Sequence, residues 1–321
     1  MKGRYIHIFL LAGLMICGCS KNFGTTTGEY DIMLKASVSD VQVNTKASNV
    51  TAYKGSVPNG NNPLDTDLWF SYTSGDYSQA SPSDNNTNIP CHTSASFSSG
   101  DITPIFYDND TDTQRPLKYP TSGAPVYCVG LYPQSAWTFE SGSFKASVTG
   151  KQDLMFAPEI SGQWNAQFGS LETNSPKFSH ILTWIKVVLC ATSYEAIESW
   201  GKISQVTVED LPTSVTVDNN GSATFNNKNK QNIALIPQGS EQELSITNLD
   251  LGEFLCAPAA SYTFSIQTAT GMNAAKTMTI DGGFRAGHQY VMVLYFNSLN
   301  VIDGVCTLTP WENQNDDLYL Q

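Results

Sequence analysis

Short runs in which apolar residues recur at every second position fill most of this chain, and they restrict its fold more than any other feature. In "HQYVMVLYF", residues 288–296, both the even and the odd positions are largely apolar. Successive side chains of a strand point to opposite faces, so this run predicts a strand that is covered on both faces. Strand candidates of the same kind begin at Asp31, Asp67, Ile102, Ala124, Ser143, Phe178, Ile203, Ser214, Ser222, Asn232, Ser261, Lys276, Gln289 and Gly304. Many short strands separated by Gly, Asn, Asp and Pro predict an all-β chain built of sandwiches.

Only one segment shows the spacing of a helix. In "TSYEAIESWG", Thr192 and Glu195 are placed as a capping box, and Gly201 is placed to end the helix. Strand density continues on both sides of this segment, and 321 residues are enough for two cores. We therefore expect two domains, an N-terminal β-sandwich at 29–197 and a C-terminal β-sandwich at 198–321.

The first residues have the pattern of an export signal. Lys2 and Arg4 precede an apolar core that is far shorter than the roughly 20 residues of a membrane-spanning helix. The segment "ICGC" that follows resembles the lipobox of bacterial lipoproteins, with an aliphatic residue three positions before Cys19 and the small Gly18 directly before it. We expect residues 1–18 to be removed as a lipoprotein signal peptide; an ordinary secretory signal is the alternative.

The resemblance to lipoproteins implies that Cys19 becomes the first residue of the mature chain and carries a diacylglyceryl group and a further acyl chain such as palmitate. Each buried methylene contributes about 0.8 kcal/mol, so two or three chains anchor a protein stably. Residues 19–28 then form a lipid-anchored linker, and the outer membrane is the expected partner of this end. "SKNFG" after Cys19 has no acidic residue and leaves open whether the protein faces the cell surface or the periplasm.

The acidic balance of the chain limits its partners. Without residues 1–18 the chain has 15 basic and 29 acidic residues, a net charge of −14. Such a surface repels phosphate backbones, so we expect no nucleic-acid partner.

Five cysteines follow the lipobox, and their spacings match no zinc site. Cys190, Cys256 and Cys306 lie in apolar runs, where cysteine packs as a small core residue. Cys91 and Cys128 are the better candidates for a disulfide, if one forms.

No catalytic motif is visible in the chain. The sequence has no GxSxG, HExxH, P-loop or GxGxxG pattern. His180 and His288 lie in strand-like runs among aromatic residues, where a packed, hydrogen-bonded histidine is far commoner than a general base. "DNDTDTQ", from Asp108, lacks the glycine and the later glutamate of an EF-hand, which favours a solvated hairpin tip. We therefore expect no catalytic, metal-binding or cofactor-binding residues and no enzymatic activity.

Four stretches, in this order, resemble the fimbrillin family of Bacteroidetes, which comprises lipoprotein-derived type V pilins and fimbrillin-like proteins. The first is "VNTKASNV", which resembles a Thr-Arg/Lys-Ala segment that follows the first strand. The second is "KYPTSGAPVYCVGLYP", with Tyr119 where tryptophan is frequent and Gly130 in the place of an alanine. The third is "DLMFAPEISG" with "FSHILTWIKVVL", and the fourth is "GGFRAGHQYVMVLYFN" with "CTLTPW". Together they span Val43 to Trp311.

This resemblance implies two tandem transthyretin-like β-sandwich domains and a structural or adhesive subunit of fimbriae. It implies that a trypsin-like protease cuts after Lys46 and removes the strand at 29–45. A strand of another pilin subunit, of the same or a paralogous chain, would replace it, and the tail "NQNDDLYLQ", with Leu318 and Leu320 on one face, would be the donor strand. The implied location is that of an outer-membrane lipoprotein at the cell surface or in a fimbrium, with host or bacterial surface ligands as further candidate partners.

The segment that begins at Asp31 has the pattern that such a replacement requires. Apolar Ile32, Leu34, Ala36 and Val38 occupy alternate positions, so one face of the strand is expected to insert into a core. In the alternative, this strand stays in the sheet permanently, and the protein is a non-polymerising tip or accessory subunit.

A second function class also fits the sequence. Tandem β-sandwiches with exposed aromatic residues occur in surface glycan-binding lipoproteins of polysaccharide-capture systems. Trp69, Trp137 and Trp164 would stack on sugars if they were exposed, although tryptophan in a sandwich more often packs in the core.

Overall fold

The computed structural model describes residues 31–38, 62–78, 81–82, 88–89, 91–98, 105–107, 114–169, 174–237 and 239–309. Within these residues the chain is almost entirely β-structure, with twenty-three strands and one helix. The all-β prediction is therefore confirmed. No helix in this part of the chain is long and apolar enough to cross a membrane.

The elements are numbered in chain order. The strands before the helix are β1 Ser37–Val38, β2 Leu64–Ser71, β3 Ser81–Pro82, β4 Asn88–Ile89, β5 His92–Phe97, β6 Ile105–Tyr107, β7 Gln114–Pro116, β8 Val126–Tyr132, β9 Trp137–Glu140, β10 Ser143–Ser147, β11 Met155–Gly162, β12 Lys177–His180 and β13 Thr183–Ala191. The helix is α1 Tyr194–Trp200. The strands after it are β14 Lys202–Pro212, β15 Ser214–Val217, β16 Ala223–Phe225, β17 Lys230–Ile236, β18 Gln242–Glu243, β19 Leu249–Cys256, β20 Ala259–Thr268, β21 Asn273–Phe284, β22 Gln289–Phe296 and β23 Ile302–Thr309.

The first sheet pair consists of sheet 1, with six strands in the order β1-β12-β11-β8-β2-β5, and sheet 2, in the order β16-β15-β10-β9. Strand β1 runs parallel to β12, and the other neighbours in both sheets are antiparallel. Apolar side chains of the two sheets enclose a common core that includes Trp69, Phe144 and Val217. The two sheets therefore form a sandwich.

The second sheet pair consists of sheet 3, in the order β19-β13-β22-β23, and sheet 4, in the order β17-β14-β20-β21. Strand β13 runs parallel to β22 along its whole length. A second core lies between these sheets and includes Ile185, Phe264 and Met292. The predicted β-sandwich architecture is thus confirmed in both sheet pairs.

The long apolar run from Phe178 predicts one strand, but the structure divides it in two. Strand β12 ends at His180 in sheet 1, and β13 begins at Thr183 in sheet 3, with the buried Leu182 between them. Conversely, β15 and β16 follow β14 in sequence but belong to sheet 2. The two sheet pairs therefore interleave along the chain, and the boundary between residues 197 and 198 stays a prediction about separate folding.

The two sheet pairs are also in direct contact. Trp184 and Leu255 lie on strands of sheet 3, yet their side chains pack in the core of the first sheet pair. The backbone N–H of Leu255 donates to the carbonyl oxygen of Gly150 (2.9 Å). Side-chain packing and a backbone hydrogen bond thus tie one sheet pair to the other.

Helix α1 forms where the sequence predicts it and ends at Gly201, whose N–H donates to the carbonyl of Ile197 (2.8 Å). The prediction that Thr192 caps it was wrong by one residue. Ser193 is the N-cap, because its extended backbone lets the hydroxyl accept a hydrogen bond from the N–H of Ala196 (3.2 Å). Trp200 then closes one end of the second core, with its indole N–H donating to the carbonyl of Asn297 (2.8 Å).

Candidate functional site

The site residues predicted from sequence all lie outside the described residues. These are Gly18, Cys19, Lys46, Leu318 and Leu320. The structure does describe residues 31–38, which belong to the strand that Lys46 is expected to release. The seat of this segment on sheet 1 is therefore the candidate functional site.

Segment 31–38 forms backbone pairs near its start, with the residues that follow β7, and at its end, with sheet 1. At the first end, Asp31 forms an antiparallel bridge with Lys118, and the N–H of Ile32 donates to the carbonyl of Leu117 (2.8 Å). At the second end, Ser37 and Val38 run parallel to the start of β12. The segment is thus an edge element of the sheet with few backbone hydrogen bonds in the described part of the chain.

Burial along this segment follows the predicted alternation. Ile32 and Leu34 are completely buried and Val38 is nearly so, whereas Met33 is 49% exposed and Lys35 is exposed. One face of the segment therefore inserts into the protein and the other faces solvent. Burying an aliphatic side chain of this size contributes about 1.5–3 kcal/mol, so side-chain burial is the main force that holds the segment.

The inserted face contacts a cluster on the face of sheet 1 that lies opposite the first core. This outer cluster consists of Ile32, Leu34, Val38, Leu64, Leu68, Phe70, Phe97, Leu117, Tyr119, Val126, Cys128, Met155, Ala157, Phe168 and Phe178. The only ionisable side chains in it are Tyr119 and Cys128, and burial raises the pKa of the Cys128 thiol well above its ordinary value. The seat is consequently lined by many apolar side chains.

Gly130 sets the depth of the seat at its centre. A Cβ at this position would clash with the ring of Phe178, with the ring carbon Cε1 at only 2.9 Å. Because Gly130 has no side chain, the Phe178 ring lies directly against β8, and Val38 pairs in register with Phe178 on the adjacent strand. The glycine at this position thus makes room for an aromatic ring.

A hydrogen-bonded aromatic pair borders the seat. The N–H of Phe168 donates to the hydroxyl oxygen of Tyr119 (2.7 Å), and the two rings lie 5.9 Å apart. Burial raises the pKa of Tyr119 to about 12, so this hydroxyl stays neutral. Tyr119 adjoins Lys118, so the same short stretch binds the beginning of segment 31–38.

The histidines occupy structural positions. His180 is buried, with Nδ1 2.7 Å from a carboxylate oxygen of the equally buried Asp153. Nδ1 of His288 lies 2.8 Å from the carbonyl oxygen of Ala286. Each histidine thus lies against an oxygen atom of the protein, and for His288 the predicted hydrogen-bonding partner is the carbonyl of Ala286. Within the described residues, no group of three or more His, Cys, Asp or Glu side chains is placed to hold a metal ion.

The structure also tests whether the tryptophans are exposed for sugar stacking and whether Cys91 and Cys128 form a disulfide. Trp69 and Trp137 are buried in the core, and of the three tryptophans considered only Trp164 is substantially exposed, at 40%. Cys91 and Cys128 are free thiols, because Cys128 belongs to the outer cluster and Cys91 packs against the core on the other face of sheet 1. A disulfide between them is therefore absent.

A protein-family model described as fimbrillin-like matches residues 67–311. No curated protein shows a significant sequence match. Among solved structures, a candidate cell adhesion protein from Bacteroides uniformis ATCC 8492 is similar at 15% identity, over 88% of this chain and 99% of that chain, with a TM-score of 0.49. The fimbrial anchor protein Mfa2 from Porphyromonas gingivalis is similar at 7% identity, over 88% and 98% of the two chains, with a TM-score of 0.42. A candidate polysaccharide-binding protein from Bacteroides thetaiotaomicron VPI-5482 is similar at 8% identity, over 89% and 98%, with a TM-score of 0.45.

Proposed function

The chain belongs to the fimbrillin-like family, and we propose that it is a structural or adhesive subunit of fimbriae, exported as a lipoprotein and assembled by strand exchange after proteolysis. Membership of this family implies a place at the cell surface or in a fimbrium and assembly with other pilin subunits. In this proposal, a lipid on Cys19 anchors the protein, a protease cuts after Lys46, and a donor strand inserts into the vacated seat.

The observation that carries the proposal is the way segment 31–38 is held. Its apolar side chains Ile32, Leu34 and Val38 fill the outer cluster, while the backbone pairs that join it to described residues lie at Asp31, Ser37 and Val38. Removal of such a segment uncovers an apolar groove and the edge of β12 without breaking the ladders inside sheet 1. An incoming strand of another subunit then restores both the burial and the backbone hydrogen bonds.

The donor strand must reproduce the side chains that it replaces. The segment offers apolar residues at four alternate positions, from Ile32 to Val38, whereas the tail of the chain offers two such positions, Leu318 and Leu320. Each buried aliphatic side chain contributes about 1.5–3 kcal/mol, which has to exceed the entropy lost in ordering a free tail. A paralogous subunit with a more apolar tail would therefore be a stronger donor than a second copy of this chain.

Assembly is tested on purified protein that begins after Cys19 and therefore has no lipid. We expect treatment with a trypsin-like protease to cut after Lys46 and to give ladders of polymers on a gel run without boiling. Lys46→Ala should block both the cleavage and the ladder. A monomer that persists after confirmed cleavage at Lys46 would overturn self-assembly, and equal polymerisation of the Lys46→Ala protein would overturn the role of cleavage.

The donor role of the tail is tested by a matched pair of variants. Leu318→Ser combined with Leu320→Ser removes the apolar face of the tail, and Tyr319→Ser changes the opposite face. Only the double variant should weaken the ladder of a self-assembling chain. If both variants assemble equally, the tail is not the donor, and another segment of the chain fills the seat.

Lipid attachment is tested by labelling cells with radioactive palmitate. Cys19→Ser should give an unlabelled, unprocessed precursor, whereas Cys17→Ser, two positions earlier, should still label, because it leaves Gly18 and Cys19 in place. Continued labelling of the Cys19→Ser protein would remove the premise of lipid anchoring.

A further inference from the structure

A cavity of about 780 Å³ opens at one end of the first sheet pair, away from the seat of segment 31–38. Its walls come from the loop around Tyr77, from the tip of the β9–β10 hairpin and from His92 at the start of β5. The volume falls within the range of roughly 300–1,000 Å³ that is typical of small-molecule sites. Neither the sequence motifs nor the proposed assembly uses this cavity.

One wall of the cavity is a fixed aromatic platform. The exposed imidazole of His92 stacks on the buried ring of Trp69, with centroids 4.2 Å apart and planes 13° from parallel. The two residues face each other across β2 and β5, and Trp69 in turn packs edge-on against Phe144 (5.5 Å). This stack holds the imidazole in place and leaves its other face toward solvent.

A second wall is held rigid by Glu159. Its carboxylate accepts hydrogen bonds from the hydroxyl of Ser74 (2.5 Å), the N–H of Gly75 (2.7 Å) and the hydroxyl of Tyr77 (2.9 Å). Burial raises the pKa of Tyr77, so this hydroxyl remains a donor. The loop therefore has its shape before any ligand arrives, which lowers the entropy lost on binding.

Two carboxylates at the cavity each have one oxygen that can accept a hydrogen bond from a ligand. Asp76 accepts from the N–H and the hydroxyl of Ser78 through Oδ1 only, and Glu140 pairs with Lys145 through Oε2 (2.6 Å). The other oxygens, Oδ2 of Asp76 and Oε1 of Glu140, have no hydrogen-bond partner among the described residues. The hydrogen bonds from Ser78 and the ammonium of Lys145 lower the pKa of Asp76 and of Glu140, respectively, so both are ionised acceptors at neutral pH.

Trp69 adds an unsatisfied donor to the same wall. Its side chain is more than nine-tenths buried, and its indole N–H has no hydrogen-bond partner in the part of the chain that the structure describes. A buried donor without a partner carries a free-energy cost and calls for an explanation such as an unseen ligand or water. Trp69 lines the cavity, so a hydroxyl of a bound ligand is a candidate partner for this N–H.

We propose that this cavity binds a neutral pyranose residue of a polysaccharide. The C–H face of a sugar ring packs on a flat aromatic surface, and sugar hydroxyls donate to carboxylate oxygens and accept from an indole N–H. Anionic sugars are disfavoured by Asp76 and Glu140. Asp76 and Glu140 would attract a cationic sugar as well, and the test below separates that outcome by including cationic chitosan.

The proposal is independent of strand exchange and is tested on the same lipid-free protein by electrophoresis in gels that contain a polysaccharide. We expect retardation by at least one neutral polysaccharide among dextran, mannan and galactan, and none by polygalacturonate. The exposed position of His92 lets His92→Ala keep the fold, which circular dichroism checks. This variant and Asp76→Asn should each weaken binding about tenfold, equivalent to about 1.4 kcal/mol.

Matched controls lie in the second sheet pair, where His288→Ala and Asp303→Asn should bind as the unchanged protein does. Retardation by none of the neutral polysaccharides, unchanged binding by His92→Ala, or binding to cationic chitosan alone would overturn the proposal. His92→Ala should still form ladders after cleavage at Lys46, so failure of sugar binding and failure of assembly are distinguishable.

Discussion

Sheets 1 and 3 each pack one face against a partner sheet, but their outer faces differ. The outer face of sheet 1 carries the large outer cluster, which includes Ile32 and Leu34 of segment 31–38. Among the described residues, the outer face of sheet 3 carries a smaller cluster of Val188, Cys190 and Val293, with Val291 and Tyr295 packed against it. An apolar face as large as that of sheet 1 needs a third layer, and a third layer is the part of a fold that another chain can replace.

Segment 31–38 also forms fewer backbone pairs with its neighbouring strand than β13 does. Only Ser37 and Val38 pair with β12, whereas every residue of Trp184–Ala191 pairs with β22. Segment 31–38 is therefore held mainly by side-chain burial, and β13 is held by a complete ladder as well. Local opening is expected to begin where buried contacts and backbone bonds are fewest, which is at the segment.

Trp200→Ala should have the largest effect on stability and should confine it to the second sheet pair. The indole packs edge-on against Phe296 (5.0 Å) and closes the second core, and a buried tryptophan replaced by alanine costs about 3–5 kcal/mol. Urea unfolding measures the loss, and hydrogen exchange should show faster opening of β22 than of β8. Equal acceleration in both strands would mean that the two sheet pairs unfold as one unit.

Leu34→Ala should loosen segment 31–38 by about 2–5 kcal/mol, since it leaves a cavity in the outer cluster. Met33→Ala is the matched control: this side chain is mainly exposed, and a change within about 0.5 kcal/mol is expected. Hydrogen exchange of residues 31–38 gives the readout. Comparable effects of the two substitutions would contradict insertion of one face only.

Gly130→Ala in sheet 1 and Gly304→Ala in sheet 3 each add a methyl group where a neighbouring side chain lies close to the backbone. A Cβ at Gly130 would meet the rigid ring of Phe178, whereas a Cβ at Gly304 would meet the flexible end of Met278. Overpacking against the ring is expected to cost about 1–3 kcal/mol, and the methionine should move aside at a cost of less than about 1 kcal/mol. Unfolding free energies of both variants test this, and a larger loss at Gly304 would reverse the comparison.

Ser193→Ala should have the smallest effect, about 1 kcal/mol, through loss of the N-cap of α1. Ser193→Asp retains a capping oxygen and serves as the control, so it should preserve stability. Thermal unfolding followed by circular dichroism measures both variants. If alanine and aspartate behave alike, the hydroxyl of Ser193 does not cap the helix.

Eight strands were missed by the sequence patterns, namely β3, β4, β5, β7, β9, β11, β18 and β19, and the three longest of them have local reasons. Strand β11 contains Pro158 and a register shift between Ala157 and Ile160, and β19 contains Gly252 opposite a register shift in β13. Such bulges interrupt the period of two and hide a strand from pattern reading. Strand β5 has the third, simpler cause, since "HTSASF" is mostly polar.

The candidate sites differ in how far the sequence reveals them. The seat of segment 31–38 is predictable only in part. The spacing of Ile32, Leu34 and Val38 predicts that one face of the segment is buried. The residues that this face contacts come from distant strands and form no sequence motif. The His92 cavity has no sequence signature. Its walls come from three separate stretches, and only the stacking of His92 on Trp69 distinguishes a platform from an ordinary surface histidine.

By itself, the sequence determined the all-β class, the place of the single described helix and its end at Gly201, and the inserted face of segment 31–38. These are local properties, since a period of two and a glycine after a helix act within a few residues. The tertiary structure alone decided that the run from Phe178 divides between sheets 1 and 3, that β15 returns to sheet 2, and that Trp69 is buried beneath His92. Strand partners are chosen by packing between residues far apart in the chain, and alternation is the same whichever sheet a strand joins.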